Sequence, residues 1–154
     1  MRATFSMTPI ACVEGGRDTA TDDAWGVNRA SIVLVPGITA EALAGLDGFS
    51  HAEIVFVFDR LPEIEIITTA RRPRGNPDWP LVGIFAQRGR NRPNRIGVSV
   101  CRVLAVNGRR LEVEGLDAVD GTPVLDIKPV LSGFLPRGDI RQPEWATAIM
   151  ADYW

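Results

Sequence analysis

Two segments of this 154-residue sequence concentrate the side chains that could do chemistry. The first, residues 85–99, sets four arginines among asparagine, glycine and proline: Arg88, Arg90, Arg92 and Arg95. The second, residues 116–129, carries three aspartates and the chain's only lysine: Asp117, Asp120, Asp126 and Lys128. Guanidinium groups pair with carboxylates and phosphates, and aspartates accept hydrogen bonds from hydroxyls and amines. Both segments are therefore predicted to be loops of a binding site.

Positive charge is concentrated in one stretch of an otherwise acidic chain. Residues 71–95 hold seven arginines and one acid, Asp78, which is a local charge of +6, so the rest of the chain carries −8 within the net charge of −2. This distribution favours a local anionic ligand over a surface that binds nucleic acid nonspecifically. A solvated arginine-rich surface is the alternative, although the intervening asparagine, proline and glycine favour a shaped loop.

Other chemistries have weaker support in the sequence. His51 is the only histidine and the two cysteines lie far apart, so no metal site is predicted. Asp117, Asp120 and Asp126 could ligate a divalent cation, but a Ca²⁺ loop needs further oxygen ligands, and capping of turns is the open alternative. The sequence also lacks the Gly-x-Ser-x-Gly elbow of hydrolases and the glycine-rich fingerprints of nucleotide-binding loops.

Length and composition predict one domain over residues 1–154, large enough to bury a single core. Cys12 and Cys101 both lie in apolar runs, which predicts reduced core thiols in a cytoplasmic protein, with a disulfide bridge as the less favoured alternative. The first nine residues contain no continuous apolar run, so neither a signal peptide nor a membrane span is predicted.

The elements that would position these loops are mostly strands. Apolar, β-branched runs predict strands at residues 4–13, 30–35, 52–58, 64–69 and 96–106. A short helix is predicted at 41–44 after Thr39, and another at 143–153. Asn107-Gly108 predicts a tight hairpin with Leu104 opposite Leu111. Because strands and helices do not alternate, the sequence predicts a mainly β fold, a small single-domain β-barrel with short helices, rather than a Rossmann sheet.

The two segments also resemble a known family. They contain Phe85-Ala86-x-Arg88-x-x-x-Arg92-Pro93-Asn94-x-Ile96-Gly97-x-Ser99 and Leu116-Asp117-x-x-Asp120-Gly121-Thr122-Pro123-Val124-Leu125-Asp126-Ile127-Lys128-Pro129. With residues 5–10 and 45–51, they closely resemble the TsaA-like (TrmO-type) family of tRNA threonylcarbamoyl-adenosine N6-methyltransferases, in order and over most of the chain. The resemblance implies a barrel that binds S-adenosylmethionine, forms a homodimer and methylates threonylcarbamoyl-adenosine beside the tRNA anticodon.

The resemblance further implies the site residues. The cofactor-binding positions would be Asp22, Asp23, Ala24, Trp25, Ser50, His51, Arg88, Arg92, Pro93, Asn94, Val98, Asp117, Asp120, Gly121 and Thr122. An arginine would pair with the cofactor's carboxylate, and an aspartate with its ribose hydroxyls or amine. Asp126 with Lys128 is the candidate catalytic pair that accepts the proton of the attacking nitrogen, and Arg90 and Arg95 are the candidate contacts to tRNA.

Four departures from the family pattern leave the methyl acceptor open. Arg95 and Val130 stand where the family commonly has proline and tyrosine, and the loop at 22–25 differs from the family's proline- and glutamine-containing loop. The chain also ends soon after the barrel motifs, without the extra C-terminal domain of longer members. The alternatives are therefore a methyltransferase for a small molecule and a non-catalytic cofactor-binding module.

Overall fold

Six antiparallel strands close into a barrel in the computed structural model, which describes residues 2–154. The strands are β1 (Ala11–Glu14), β2 (Arg29–Leu34), β3 (His51–Val57), β4 (Ala70–Arg71), β5 (Val82–Gly83), β6 (Ile96–Asn107), β7 (Arg110–Glu114) and β8 (Pro123–Pro129). The barrel order is β1-β2-β7-β6-β3-β8, and β4 and β5 form a separate hairpin. The predicted small mainly β barrel is confirmed, and of the predicted domain 1–154 only Met1 lies outside the described residues.

Besides the strands, the structure contains short helical elements. One α-helix, α1, spans Glu144–Ile149. Single 3₁₀ turns span Ala40–Leu43, Leu46–Gly48, Glu63–Glu65, Pro73–Gly75, Ile84–Ala86 and Ser132–Phe134. The turn at Ala40–Leu43 follows Thr39, as predicted, and α1 follows Pro143 but ends four residues before the predicted limit of 153. Across residues 2–154, no helix is long and apolar enough to span a membrane.

The barrel interior is filled by alternate residues of each strand. On β3, Ala52, Ile54 and Phe56 are buried while their neighbours are only partly so, which is the two-residue period of a strand with one face in a core. Opposite Phe56, β6 carries Gly97, and a Cβ atom at that position would overlap the Phe56 ring. The face of β6 that carries the small residues Gly97, Ser99 and Cys101 is therefore the inward face, because it admits a large ring from the neighbouring strand.

Of the predicted strands, one is wrong in its limits and one does not form. The strand predicted at 4–13 forms only at Ala11–Glu14, where β2 pairs with it, and residues 2–9 are exposed, including Phe5 at 86%. The strand predicted at 64–69 is absent because Glu63–Glu65 makes a 3₁₀ turn after Pro62 and leaves Ile64 91% exposed. Apolar composition predicted both, but a strand also needs a partner.

The predicted hairpin turn is shifted by one residue, which moves the partner of Leu111 by two positions along β6. Asn107 pairs with Arg110 and Val106 with Leu111, so the turn residues are Gly108 and Arg109 and the predicted pair of Leu104 with Leu111 is wrong. Gly108 has φ +60°, which suits a tight hairpin turn. A bulge between Val103 and Ala105 leaves Leu104 without a partner on β7 and 39% exposed.

Asn28 ties the loop before β2 to the loop after β7. Its buried side-chain amide donates to the Leu116 carbonyl at 2.7 Å, and the Gly115 amide donates to the Asn28 carbonyl at 2.9 Å. The loop at 22–28 and the aspartate that follows Leu116 are thereby brought to the same part of the barrel.

Cys12 and Cys101 are both free thiols, as the favoured alternative predicted.

Candidate functional site

Asp117 is the centre of a hydrogen-bonded cluster just after β7. One carboxylate oxygen, Oδ1, accepts from the Ser99 hydroxyl, and the other, Oδ2, accepts from the Tyr153 hydroxyl. Ser99 is buried on the inward face of β6, opposite Ile54, whereas Asp117 remains partly exposed. A carboxylate oxygen can accept more than one hydrogen bond, so Asp117 keeps acceptor capacity for a ligand.

Burial and neighbouring groups act on Asp117 in opposite directions. Burial dominates and raises the pKa of the Asp117 carboxyl, whereas the Tyr153 hydroxyl, the Asp117 backbone amide and the Arg88 charge each favour the ionised form. Burial, together with the Asp117 carboxylate, raises the pKa of Tyr153. Tyr153 therefore keeps its proton and donates it in the hydrogen bond to Asp117. Perturbed carboxyls of this kind are found at functional sites more often than elsewhere.

Arg88 brings a positive charge to this cluster. Its guanidinium is exposed and donates through Nη2 to the Val98 carbonyl at 2.9 Å, at the start of β6. The charge is near enough to offset part of the rise in the pKa of Asp117 that burial causes. Arg88, Val98 and Asp117, three of the predicted cofactor positions, therefore lie together.

The loop at Asp22–Trp25 is held rigidly from several sides. The Arg17 guanidinium donates to the Asp23 carbonyl at 2.7 Å and to the Ala24 carbonyl, and it lies 4.4 Å from the centroid of the buried Trp25 ring. Arg74 forms an ion pair with Asp23 at 2.8 Å. Ala24 has φ +61°, a left-handed conformation that a non-glycine residue keeps only when its surroundings enforce it.

The same loop contacts the end of the chain. The Ala24 amide donates to the Asp152 carbonyl at 2.9 Å, and the Trp25 amide donates to the Tyr153 carbonyl at 2.7 Å. Tyr153 thus touches both the 22–25 loop and Asp117. Neither Tyr153 nor Ser99 was identified from the sequence as a functional residue, because their contact partners are distant along the chain; the one available signal was that Tyr153 is the only tyrosine.

Ser50 and His51 lie at the start of β3. The Ser50 hydroxyl and His51 Nδ1 are 2.8 Å apart, and the His51 carbonyl accepts from the Val130 amide at 3.0 Å. His51 pairs across the sheet with Arg102. Within residues 2–154, no hydrogen bond connects this pair to the Asp117 cluster, and its cofactor role stays a prediction.

Arg92, Pro93 and Asn94 form a turn before β6. The Arg95 amide closes the turn by donating to the Arg92 carbonyl at 3.0 Å, and the Arg92 guanidinium donates to the Gln87 carbonyl at 2.9 Å. Arg92 therefore shapes the loop that carries Arg88. Arg95 likewise donates from Nη1 to the Leu61 carbonyl at 3.0 Å, whereas Arg90 is exposed.

The turn at Asp120, Gly121 and Thr122 is occupied by internal contacts. Asp120 Oδ1 accepts from the Gly15 amide at 2.8 Å, and the buried Thr122 hydroxyl donates to the Val119 carbonyl at 2.7 Å. Gly121 has φ +83°. The turn-capping alternative raised for the aspartates therefore describes Asp120, and it does not describe Asp117.

Asp126 and Lys128 form an ion pair on β8. Lys128 Nζ lies 3.1 Å from Asp126 Oδ2, with the two side chains 63% and 49% exposed. Asp126 Oδ1 accepts from the Ile127 amide at 2.9 Å. The aspartate lies at the edge of an open apolar cavity of about 490 Å³, which is lined by residues that include Ile10, Leu43 and Phe49. In the described part of the chain, no group of three or more His, Cys, Asp or Glu side chains is arranged around a possible metal position.

Known proteins share this sequence and this barrel. The family described as the tRNA-methyltransferase O N-terminal domain matches residues 22–134. A putative S-adenosylmethionine-dependent methyltransferase RcsF of Pseudomonas aeruginosa is 42% identical over 112 residues, covering 72% of this chain and 46% of that protein. The tRNA (adenine(37)-N6)-methyltransferase of Escherichia coli K12 is 42% identical over 105 residues, covering 64% of this chain and 43% of that protein. This chain therefore spans less than half the length of these curated relatives.

Solved structures agree with the sequence comparison. The crystal structure of TrmO from P. aeruginosa superimposes with a TM-score of 0.74 at 30% identity, covering 93% of this chain and 62% of that chain. A second crystal structure of TrmO gives a TM-score of 0.73 at 31% identity, with 92% and 62% covered. Both superpositions cover more than nine-tenths of this chain.

Proposed function

The chain belongs to the family of the tRNA-methyltransferase O N-terminal domain, and we propose that it is an S-adenosylmethionine-dependent methyltransferase that N6-methylates threonylcarbamoyl-adenosine beside the tRNA anticodon. The observation that carries this proposal is that Arg88, Asp117 and the 22–25 loop lie close together on a barrel of this family. The names of the relatives support the choice of cofactor and of tRNA adenine as the acceptor.

The donor set fits S-adenosylmethionine. The exposed Arg88 guanidinium would pair with the carboxylate of the methionine moiety, and the partly exposed Asp117 would accept from the amine or a ribose hydroxyl. The rigid Asp22–Trp25 backbone offers groups for the adenine ring, and Ser50, His51 and the Arg92-Pro93-Asn94 turn would complete the pocket.

Positioning is the main catalytic contribution that we propose for these residues. S-adenosylmethionine supplies an electrophilic methyl group on a sulfonium sulfur. Arg88 and Asp117 would hold the cofactor from its amino-acid and ribose ends, and fixing two reactants in line removes much of the entropic barrier of a bimolecular transfer. The attacking nitrogen must lose a proton, and we propose that the Asp126 carboxylate, which pairs with Lys128 at 3.1 Å, accepts it.

The arginines of residues 71–95 support an RNA acceptor. Arg90 is exposed and could contact a phosphate, and Arg95 would add charge at the same loop while its Nη1 donates to the Leu61 carbonyl.

We further propose a cytoplasmic homodimer. Exposed apolar side chains on the outer face of β6, Val100 at 51% and Leu104 at 39%, support an interface between two copies.

Methyl transfer to tRNA is the direct test. The protein is incubated with labelled S-adenosylmethionine and tRNA that carries threonylcarbamoyl-adenosine, and the digested nucleosides are analysed by mass. We expect the modified adenosine to gain one methyl group, and tRNA that lacks the threonylcarbamoyl group serves as the control. Absence of product while the protein still binds the cofactor would reject the tRNA substrate and favour a small-molecule acceptor, or a cofactor-binding module if no acceptor is methylated.

A further inference from the structure

The segment formed by residues 150–154 covers the loop that we propose to bind the cofactor. The chain leaves α1 at Ile149, and the carbonyls of Asp152 and Tyr153 then accept from the amides of Ala24 and Trp25. The next residue of the loop, Gly26, has no room for a side chain, because a Cβ atom there would overlap the Trp154 backbone carbonyl. The 150–154 segment and the loop are therefore packed backbone to backbone.

Tyr153 extends this contact into the barrel. Its side chain is partly buried, its ring packs edge-to-face against Trp154 with centroids 4.8 Å apart, and its hydroxyl donates to Asp117 Oδ2. One residue thus fixes the loop through its carbonyl and the carboxylate through its hydroxyl. A shift of the 150–154 segment would disturb both at once.

The loop needs such support, because Ala24 is held in the left-handed region at φ +61°. Arg17 and Arg74 hold the loop's carbonyls and the Asp23 carboxylate. The amides of Ala24 and Trp25 donate hydrogen bonds to carbonyls of the 150–154 segment. This segment therefore satisfies the backbone donors of the loop, whereas the two arginines bind its acceptors.

We infer that Tyr153 is a positioning residue of the cofactor site, which holds the Asp117 carboxylate and the 22–26 loop in one arrangement for the amine or hydroxyl groups of an S-adenosyl ligand. This inference rests on the proposed function. Tyr153 acts through Asp117 and the loop, and the contact to the ligand is assigned to Asp117 itself.

The groups that face Asp117 determine how the role can be measured. They are Ser99 and Cys101 of β6, Arg88 of the preceding loop and Tyr153, whose hydroxyl also lies in the field of Arg74. Tyr153→Phe removes one donor that favours the carboxylate and leaves the others in place. The pKa of Asp117 then rises, so its charge is lost at a higher pH than in the unaltered protein.

The first measurement uses the ligand-free protein. Carbon-detected NMR of the side-chain carboxyl follows the titration of Asp117 in the unaltered protein, in Tyr153→Phe and in Asp152→Asn. Asp152 contacts the loop through its backbone carbonyl, so Asp152→Asn is the matched control in the same segment. We expect the apparent pKa of Asp117 to rise in Tyr153→Phe, because a hydrogen bond to the ionised form is lost, and to stay unchanged in Asp152→Asn. An unchanged pKa in Tyr153→Phe would overturn the inference, whether or not the protein binds a cofactor.

The second measurement is calorimetric titration with S-adenosylhomocysteine between pH 5 and pH 8. We expect the acid limb of the affinity profile to move to higher pH in Tyr153→Phe, with affinity about tenfold weaker on that limb for a shift of one pKa unit. Asp117→Asn should remove the acid limb, and adding Tyr153→Phe to it should change little. If the unaltered protein and Tyr153→Phe bind S-adenosylhomocysteine with the same pH profile, the positioning role alone is rejected. If the unaltered protein does not bind at any pH, the proposed function is rejected together with the role that rests on it.

Discussion

Arg88 is the residue whose removal best separates binding from folding. Its guanidinium is exposed and makes one hydrogen bond, to the Val98 carbonyl, so the barrel core does not depend on it. A charge-assisted hydrogen bond contributes about 1.5–3 kcal/mol, so we expect Arg88→Ala to weaken S-adenosylhomocysteine binding roughly tenfold to a hundredfold. The loss should be largest on the acid side, because without the Arg88 charge the pKa of Asp117 is higher still. Calorimetric titration measures the affinity.

Arg110→Ala is the matched control for that experiment. Arg110 also carries an exposed guanidinium, but it pairs with Glu14 at 2.8 Å on the barrel wall. We expect its loss to leave the affinity unchanged and, like Arg88→Ala, to shift the free energy of unfolding by no more than about 0.5 kcal/mol. Equal affinities for Arg88→Ala and the unaltered protein would show that Arg88 does not contact the ligand.

At the residue scale, the sequence identifies the charged groups but not their partners. The motif around Arg88 and the motif around Asp117 predicted a common site, and the structure brings these two residues together. Asp117 and Asp120 look alike in the sequence, yet one faces the Ser99 and Tyr153 hydroxyls while the other caps the Gly15 amide. Tyr153 lies 36 positions from Asp117, and no local spacing rule connects them.

Strand β6 depends on glycine at its contact with β3. The Phe56 ring lies where a Gly97 side chain would begin, so a methyl group there must displace a buried aromatic ring. We expect Gly97→Ala to lower the free energy of unfolding by about 1–3 kcal/mol, which is typical of an overpacked core. Urea denaturation measures the change. Gly133→Ala is the control, since its Cβ would meet nothing within 4 Å, and a loss as large in that variant would mean that the effect is not steric.

Among the elements, the long alternating strands were predictable, whereas β8, which pairs with both β1 and β3, lies in the segment 116–129 that was predicted to be a loop. β3 and β6 are long, apolar and alternating, and both match their predicted limits within one residue. Residues 4–9 and 64–69 are similarly apolar, but no strand of the barrel pairs with them, and pairing is a nonlocal property that composition does not encode. The hairpin turn lies one residue later than predicted, and a bulge at Leu104 changes the pairing again farther along β6.

Arg95 shows how one departure from the family pattern changes an element. Its φ is +52°, whereas proline is fixed near −65°, so this turn cannot have the backbone of a turn with proline at that position. The Arg95 carbonyl accepts from the Phe58 amide at 2.8 Å and its guanidinium donates to the Leu61 carbonyl at 3.0 Å. Arg95 therefore joins the loop before β6 to the chain that follows β3, and its predicted contact with tRNA would be made by the remaining guanidinium donors.

Charge is unevenly distributed along the chain, and this property bears on the acceptor. Seven arginines with one acid lie within residues 71–95, while the rest of the chain is acidic. Such a patch attracts the phosphates of RNA through release of counterions, so methylation of tRNA should fall steeply with salt when the tRNA concentration is limiting. We expect Arg90→Glu to lower the rate on tRNA about fivefold or more at physiological salt and to reduce the slope of log rate against log salt by about one.

Arg137→Glu is the matched charge reversal, since Arg137 is also exposed but lies outside residues 71–95. It changes the net charge of the protein by the same amount, so a loss confined to Arg90→Glu would assign the effect to the patch rather than to total charge. Affinity for S-adenosylhomocysteine should be equal in both variants, because neither residue belongs to the proposed cofactor pocket. If both reversals lowered the rate alike, or if the rate on tRNA were insensitive to salt, the arginines of residues 71–95 would have no specific role in binding RNA, and the acceptor would have to be sought among small molecules.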